Sequence, residues 1–185
     1  MVSSTVGGQE DRLDQVRTVL RTLGYEVWMS RHHSFRIDPA KTQLQNCLDA
    51  VDAADIVVVL IDRRYGSVSP HSADGHSVFH EEVRRAVDTG KLRYTFVHRD
   101  VSVARKVLRP LNVAAAGAPW DVPGFAPVPG TLDDLRVLDV VDYAYKEHRP
   151  AAEQDAWVQE FPDIDSLLSM IDDQFRDVDW IRHLL

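Results

Sequence analysis

The stretch Asp55-Ile56-Val57-Val58-Val59-Leu60-Ile61 decides the fold of this 185-residue chain. After the aspartate every residue is apolar and most are β-branched, so the segment favours a strand over a helix. A strand without a polar side must be covered on both faces, which is typical of a parallel sheet between two layers of helices. Residues 56–61 therefore predict an α/β fold.

Strand and helix patterns alternate along the rest of the chain. The other strand-like segments are residues 2–5, 25–29, 92–97 and 156–161, so residues 56–61 form the third of five. Helical periodicity covers residues 13–23, 44–53, 77–89, 101–108, 132–148 and 163–175. Right-handed crossovers then favour an open, flavodoxin-like parallel sheet of five strands in the order 2-1-3-4-5, with helices on both faces.

Length and composition indicate one globular domain over residues 1–185, with 44% hydrophobic and 27% charged residues. We expect a core of residues 1–109 and 131–176, a Pro/Gly/Ala-rich insertion loop at 110–130 and a tail at 177–185. Trp120, Trp157 and Trp180 are expected to anchor packing. The apolar pair Trp120 and Phe125 could instead lie exposed in the insertion and need a partner to cover it.

Charge and cysteine content disfavour several classes of function. The formal net charge is −8, which repels phosphate backbones, so we expect no nucleic-acid partner. The single cysteine, Cys47, excludes an intramolecular disulfide and lies in an apolar pattern that predicts core packing. The first residues lack the features of a signal peptide, and no apolar run approaches the roughly 18 residues of a membrane span. We therefore expect a cytoplasmic protein with no membrane partner.

Glu82 is the strongest candidate for a functional residue. On the predicted helix of residues 77–89 it lies at the edge of an apolar stripe that includes Phe79 and Val83. A carboxylate turned toward a sheet is unfavourable to bury without a partner, and such positions often have a function. The alternative is structural: Glu82 caps its own helix or pairs at the surface with Arg63, Arg64 or Arg85.

Candidate ligand-binding residues follow two of the predicted strands. Ligands of such sheets bind beyond the carboxyl ends of the strands, and Ser3, Ser4 and Thr5 end the first strand. Their hydroxyl groups could line an anion or ribose pocket next to Gly7-Gly8, although helix capping explains them equally well. After the third strand, Asp62 is followed by Arg63-Arg64-Tyr65-Gly66-Ser67, which offers cations, an aromatic ring and a flexible glycine for a nucleotide-like ligand.

Familiar catalytic and metal-binding motifs are missing from the sequence. Gly7-Gly8 does not match the dinucleotide fingerprint, and neither a phosphate loop nor a Gly-x-Ser-x-Gly elbow occurs. His76, His80 and Glu81 lie close together but lack the spacing of zinc ligands, so we expect no metal site.

An ordered set of motifs resembles a known family. The pieces are Val2-Ser3-Ser4-Thr5, residues 23–28, residues 47–56, Arg64-Tyr65-Gly66-Ser67, residues 77–86 with Ser77 and Glu82, and Gly90-Lys91. In this order and spacing they resemble the bacterial TIR-like family called domain of unknown function 4062, over residues 1–176. Members usually have several apolar residues before the Ser-Ser-Thr, so we expect here a short first strand or a start upstream of Met1.

The resemblance implies a TIR-like or nucleoside-deoxyribosyltransferase-like fold and a role in prokaryotic antiviral defence and signalling. Related TIR enzymes cleave the nicotinamide–ribose bond of NAD with a glutamate, to which Glu82 corresponds. The stretch from Ser77 is similar to their Ser-x-Trp-Cys-x-x-Glu pattern, with Val78 and Phe79 at the aromatic and cysteine positions.

Three functions remain open on this resemblance. The first is cleavage of NAD or a related nucleotide, in which NAD is a substrate and no cofactor is required. The second is a non-catalytic module that self-associates or recruits a defence effector or an NTPase. The third is nucleoside deoxyribosyl transfer. Ser3, Ser4, Thr5, Asp62, Arg64, Tyr65, Gly66 and Ser77 are the expected ligand-binding residues.

Overall fold

The computed structural model describes residues 1–32, 34–115, 118–128, 130–145 and 157–185. Within these ranges, four strands form one parallel sheet: β1 (Val2–Ser4), β2 (Ile56–Ile61), β3 (Leu92–His98) and β4 (Val158–Phe161), adjacent in that order. The helices are α1 (Glu10–Thr22), α2 (Gln43–Ala53), α3 (Val78–Asp88), α4 (Arg99–Leu108), α5 (Arg136–Ala144), α6 (Ile164–Phe175) and α7 (Val178–Leu184). The predicted α/β class with a parallel sheet is confirmed.

The central strand β2 is buried on both faces, as its sequence predicts. Val57, Val59 and Ile61 point into a core shared with α3 and α5. The alternate residues of β2 point into a second core, which contains the inner faces of α1, α6 and α7. The sheet therefore separates two apolar layers.

The predicted five-strand order 2-1-3-4-5 is wrong in one strand. Residues 25–29 form no strand, although Val27 and Met29 are buried. The backbone N–H of Val2 donates to the carbonyl oxygen of Trp28 at 2.9 Å, so the segment lies beside β1 at the predicted edge. The segment takes the place of the predicted edge strand without the ladder of hydrogen bonds that defines a strand.

The cap of α3 fixes the helix that carries Glu82. The Ser77 hydroxyl accepts a hydrogen bond from the backbone N–H of His80 at 3.1 Å, and α3 begins at Val78. Gly90, with φ of 65°, follows the end of the helix. Phe79 and Val83 pack in the core, so the rotation of α3 about its axis is set by apolar contacts.

The tryptophans divide in a way that the sequence did not predict. Trp120, in the insertion, is buried, and its backbone N–H donates to Asp139 while its indole N–H donates to Asp142. Trp157 and Trp180 are exposed, so the prediction that they anchor packing is wrong. Phe125 is half-buried against the core beside α3 and α5. The expected exposed pair in the insertion is therefore not formed.

Candidate functional site

A cleft of about 610 Å³ opens at the carboxyl edge of the sheet, between the ends of β1 and β2 and the beginning of α3. Its floor includes the buried Phe79 and the half-exposed Val78. The polar residues of its lining are Ser4, Thr5, Ser30, Gln43, Arg64, Ser67, Ser69, His71, Glu82 and Asp133. Crevices in this position are the usual ligand sites of parallel sheets, and the sequence placed the candidate site at the same edge.

Glu82 lies at the deep end of the cleft, and only 3% of the residue is exposed. Its Oε2 accepts a hydrogen bond of 2.5 Å from the hydroxyl of Ser3, which belongs to β1. The Cys47 thiol is a second donor to the carboxylate. Burial raises the pKa of Glu82 to about 7, although both hydrogen bonds oppose that rise. The carboxyl group can therefore change its protonation state near neutral pH.

Cys47 brings α2 into the site. Burial, followed by the charge of Glu82, raises the pKa of the Cys47 thiol to about 12. The thiol is thus protonated at neutral pH and acts as a hydrogen-bond donor rather than as a nucleophile. Cys47 is buried as the sequence predicts, but its contact with Glu82 was missed. The one available signal was that the apolar stripe of α2 that contains Cys47 must face a neighbouring helix.

Glu82 neither caps its own helix nor pairs with a surface arginine, which was the structural alternative for this residue. Arg85 is bound to Asp52 through two hydrogen bonds, and Arg63 is paired with Asp62. The cap of α3 is Ser77. Among the described residues, no cation pairs with the Glu82 carboxylate, so hydroxyl and thiol donors alone solvate it.

The rim of the cleft contains four of the predicted ligand-binding residues: Ser4, Thr5, Arg64 and Gly66. Gly66 has φ of 84°, and a Cβ at this position would lie 3.0 Å from Cγ2 of Thr5, so a larger residue would press on the cleft wall. The Oγ1 atom of Thr5 is buried, and none of the residues described in the structure forms a hydrogen bond with it.

Arg64 lies over Gly8, where a Cβ would be 2.9 Å from Nη2 of the guanidinium group. No carboxylate lies within ion-pair distance of Arg64 in the part of the chain that the structure describes. A free guanidinium group at the rim of a cleft is suited to bind an anionic group of a ligand.

Asp62 lies outside this cleft and lines a second one of about 330 Å³, which shares Arg64 and Asp133 with the first. Burial would raise its pKa, but the backbone N–H of Arg63 and the charge of Arg12 outweigh burial and hold the pKa below its usual value. Arg12 and Arg63 both form ion pairs with Asp62. Asp62 is therefore ionised and neutralised by its neighbours.

Tyr65 and Ser77 are buried behind the cleft rather than on its lining. The Tyr65 hydroxyl accepts from the backbone N–H of Ser77 at 3.3 Å and lies 2.9 Å from Nδ1 of His80. Burial, with the charges of His76 and other neighbours, lowers the pKa of His80 to about 3, so this imidazole is neutral. These residues support the wall of the cleft from inside.

In the described segments, no group of three or more His, Cys, Asp or Glu side chains is arranged to hold a metal ion. No helix in the same segments has both the length and the apolar character that crossing a bilayer requires.

Together, the fold and the cleft define an α/β protein with a parallel sheet whose carboxyl edge holds a buried carboxylate, and no cation of the described residues pairs with it. The chain belongs to the family described as Domain of unknown function (DUF4062), whose model matches residues 1–113. The matched segment contains Ser3, Cys47, Arg64 and Glu82. No curated protein and no solved structure is significantly similar to the chain.

Proposed function

We propose that the chain is a TIR-like enzyme of a prokaryotic antiviral defence or signalling system, and that it cleaves the N-glycosidic bond of NAD or a related nucleotide. The observation that carries the proposal is the buried Glu82 carboxyl group, with a pKa of about 7, at the deep end of a cleft at the carboxyl edge of the sheet. A group in this state is suited to chemistry near neutral pH.

Glu82 would act on the ribose. When the C–N bond breaks, its electron pair moves to the ring nitrogen of the pyridinium, so the leaving nicotinamide needs no proton. The sugar becomes an oxocarbenium ion, and the Glu82 carboxylate stabilises it electrostatically or attacks its C1′ atom. Water then supplies the hydroxyl group of the product and releases a proton. A positive charge next to Glu82 would also favour its ionised form.

The other cleft residues have separate parts in this proposal. Ser3 and Cys47 orient the carboxylate through hydrogen bonds. Ser4, Thr5 and Gly66 would contact the sugar, and Arg64 would hold a phosphate group. Asp62, Tyr65 and Ser77 would support the walls without touching the ligand.

We further propose that residues 1–185 form one domain, since the two apolar cores draw on residues from Val2 to Ile181. The proposal includes a cytoplasmic location, with which a single buried cysteine is consistent. The partners would be a nucleotide-type small molecule and an effector or NTPase of the defence system, without nucleic acid.

The test is release of nicotinamide from NAD by the purified protein and by Glu82→Gln. We expect the substitution to lower the rate at least about 100-fold, because it removes the charge that stabilises the transition state. The matched control is Glu81→Gln: this neighbour binds Ser72 and faces away from Glu82. It should leave the rate unchanged.

The products separate the remaining functions. Equal rates for the wild-type protein and Glu82→Gln would remove Glu82 from the mechanism. Exchange of one free nucleobase for another, without net hydrolysis, would identify deoxyribosyl transfer instead. No turnover under any condition of assembly would leave a non-catalytic interaction module.

A further inference from the structure

A second cleft opens beside the Glu82 cleft, at the beginning of α1. It has a volume of about 330 Å³, and its lining residues are Gly8, Gln9, Asp62, Arg63, Arg64, Pro127, Gly130 and Asp133. Three of these residues follow the segment 1–113 that matches the family model. Arg64 and Asp133 also line the Glu82 cleft, so the two clefts are joined. Each has the size of an ordinary small-molecule site.

Gln9 is the residue of the second cleft that indicates a ligand. Only 9% of it is exposed, yet none of the described residues forms a hydrogen bond with its side-chain amide. Gln9 occupies the N-cap position of α1, but its side chain does not cap the helix. Buried amide groups are nearly always hydrogen-bonded, and one without a partner destabilises the fold. A ligand that pairs with this amide would remove that penalty.

Thr5 is the corresponding residue of the Glu82 cleft. Its buried Oγ1 atom lacks a hydrogen-bond partner among the described residues, and Thr5 lines the cleft. Thr5 and Gln9 are the two ends of the connection between β1 and α1, which contains Gly7 and Gly8. Each cleft therefore has one buried polar side chain that a ligand can satisfy.

Arg64 lies between these two side chains. Its guanidinium group rests against Gly7 and Gly8, where a Cβ would be 3.5 Å from Nη1 and 2.9 Å from Nη2, respectively. The first turn of α1 is already engaged, because hydrogen bonds from the backbone N–H groups of Glu10 and Gly8 hold the pKa of the Glu10 carboxyl group below its usual value. The Arg64 guanidinium group is therefore the donor suited to a phosphate.

We propose that the two clefts form one site for a diphosphate-linked dinucleotide, in which Arg64 binds the diphosphate and the second nucleoside occupies the second cleft. The Gln9 amide offers a donor and an acceptor side by side, which a purine edge matches, and Asp133 accepts from ribose hydroxyl groups. A mononucleotide fills one cleft and leaves Thr5 or Gln9 without a partner. The orientation of the ligand rests on the proposed function, since the sugar beside Glu82 is the one to be cleaved.

Calorimetric titration of the full chain with ADP-ribose tests the proposal. ADP-ribose has two ribose units joined by a diphosphate, whereas ribose 5-phosphate and AMP each contain one. We expect ADP-ribose to bind at least about 10-fold more tightly than either half, because it occupies both clefts. Gln9→Leu should weaken binding of ADP-ribose about 5-fold, through loss of the amide hydrogen bonds, and leave binding of ribose 5-phosphate unchanged.

The matched control is Gln15→Leu, the same change at an exposed position of α1, which should bind all three compounds like the wild type. Circular dichroism checks that both variants are folded. Gln9→Glu keeps the length of the side chain but places a negative charge near the diphosphate, so it should weaken ADP-ribose at least as much as Gln9→Leu does. The two-cleft site is overturned if ADP-ribose binds no more tightly than its halves, or equally well to the Gln9 variants and the wild type.

Nicotinamide release from NAD and from nicotinamide mononucleotide separates this result from a failure of the proposed function. No release from either compound refutes glycosidic cleavage, while binding of ADP-ribose that depends on Gln9 would still support the joined site. Release from both compounds with equal kcat/KM would support cleavage and overturn the role of the second cleft.

Discussion

Asp62 and Glu82 are two carboxylates with the same exposure, 3%, at the same edge of the sheet, yet their pKa values move in opposite directions. Burial alone would raise the pKa of Asp62, but the backbone N–H of Arg63, the charge of Arg12 and the side chain of Arg63 together hold it below the usual value. Within the described part of the chain, a hydroxyl and a thiol are the donors to Glu82, and burial raises its pKa to about 7. The largest difference between the two sites is in their partners, because Asp62 has two guanidinium groups beside it and Glu82 has a hydroxyl and a thiol.

The two carboxylates therefore have opposite effects on the stability of the folded protein. Asp62 is ionised at every physiological pH and ties the end of β2 to Arg12 of α1. Glu82 destabilises the folded protein when it is ionised, because its charge is removed from water without a cation to replace it. Retaining such a group is unfavourable for stability alone, which supports a role for Glu82 in binding or chemistry.

Among substitutions that test the contrast between Asp62 and Glu82, we expect Glu82→Gln to change the free energy of unfolding most. A folded-state pKa of about 7 lies above the ordinary value of 4.5, so the protonated form stabilises the fold below pH 4.5 and this contribution is lost as the pH rises through 7. At pH 9 the variant should be more stable than the wild type by about 3 kcal/mol, and near pH 4 the two should be equal. Urea unfolding at both pH values measures the difference.

Glu81→Gln provides the comparison on the same helix. Glu81 accepts a hydrogen bond from Ser72 and lies 3.3 Å from His76, so its replacement removes favourable contacts and should not increase stability at pH 9. A Glu82→Gln variant that is less stable than the wild type at every pH would show that the buried charge is stabilised in some other way.

We expect Asp62→Asn to lower the free energy of unfolding, whereas Glu82→Gln raises it at high pH, and the change should be smaller. The substitution leaves Arg12 and Arg63 without their carboxylate, and we expect a loss of about 2 kcal/mol at pH 7, because both guanidinium groups still reach water. The folded-state pKa of Asp62 is lowered, so the wild-type advantage should be present above the unfolded-state pKa and vanish as the pH falls through the folded-state value.

The control for Asp62→Asn is Asp100→Asn, which removes a half-exposed carboxylate 3.4 Å from the same Arg63. An exposed pair of this kind contributes less than about 1 kcal/mol. Chemical unfolding at pH 7 measures the stability of both variants. If both lose the same free energy of unfolding, the buried ion pairs of Asp62 stabilise the protein no more than the exposed pair of Asp100.

The sequence could predict the part of the fold that depends on one chain segment at a time. Residues 56–61 are apolar at every position, and this alone required helices on both faces of the sheet. Residues 25–29 alternate like a strand and lie beside β1, where Val2 donates to Trp28, but the structure forms no strand there. Whether two neighbouring segments pair as strands is a tertiary property that local pattern does not contain.

The same limit applies to the site. Glu82 could be singled out because helical periodicity places it at the edge of an apolar stripe. Cys47 could not, because its pattern is that of an ordinary core residue and its contact depends on how α2 packs on α3. Tyr65 was predicted to contact a ligand because it is an aromatic residue beside cations and a glycine. Its ring lies instead in the core, with the Arg136 guanidinium group 4.3 Å above it.

The smallest effect, and the most specific, is expected for Ser3→Ala. Its hydroxyl donates to the Glu82 carboxylate at 2.5 Å and so favours the ionised form. Removing this donor should raise the pKa of Glu82 from about 7 by about one further unit, which is the usual contribution of one hydrogen bond to a charged group. Carboxyl carbon NMR titration measures this pKa directly.

Ser4→Ala is the matched control, because the Ser4 hydroxyl donates instead to the carbonyl oxygen of Thr5. If both substitutions shift the titration equally, the polarity of the cleft as a whole, rather than the Ser3 hydrogen bond, sets the protonation of Glu82.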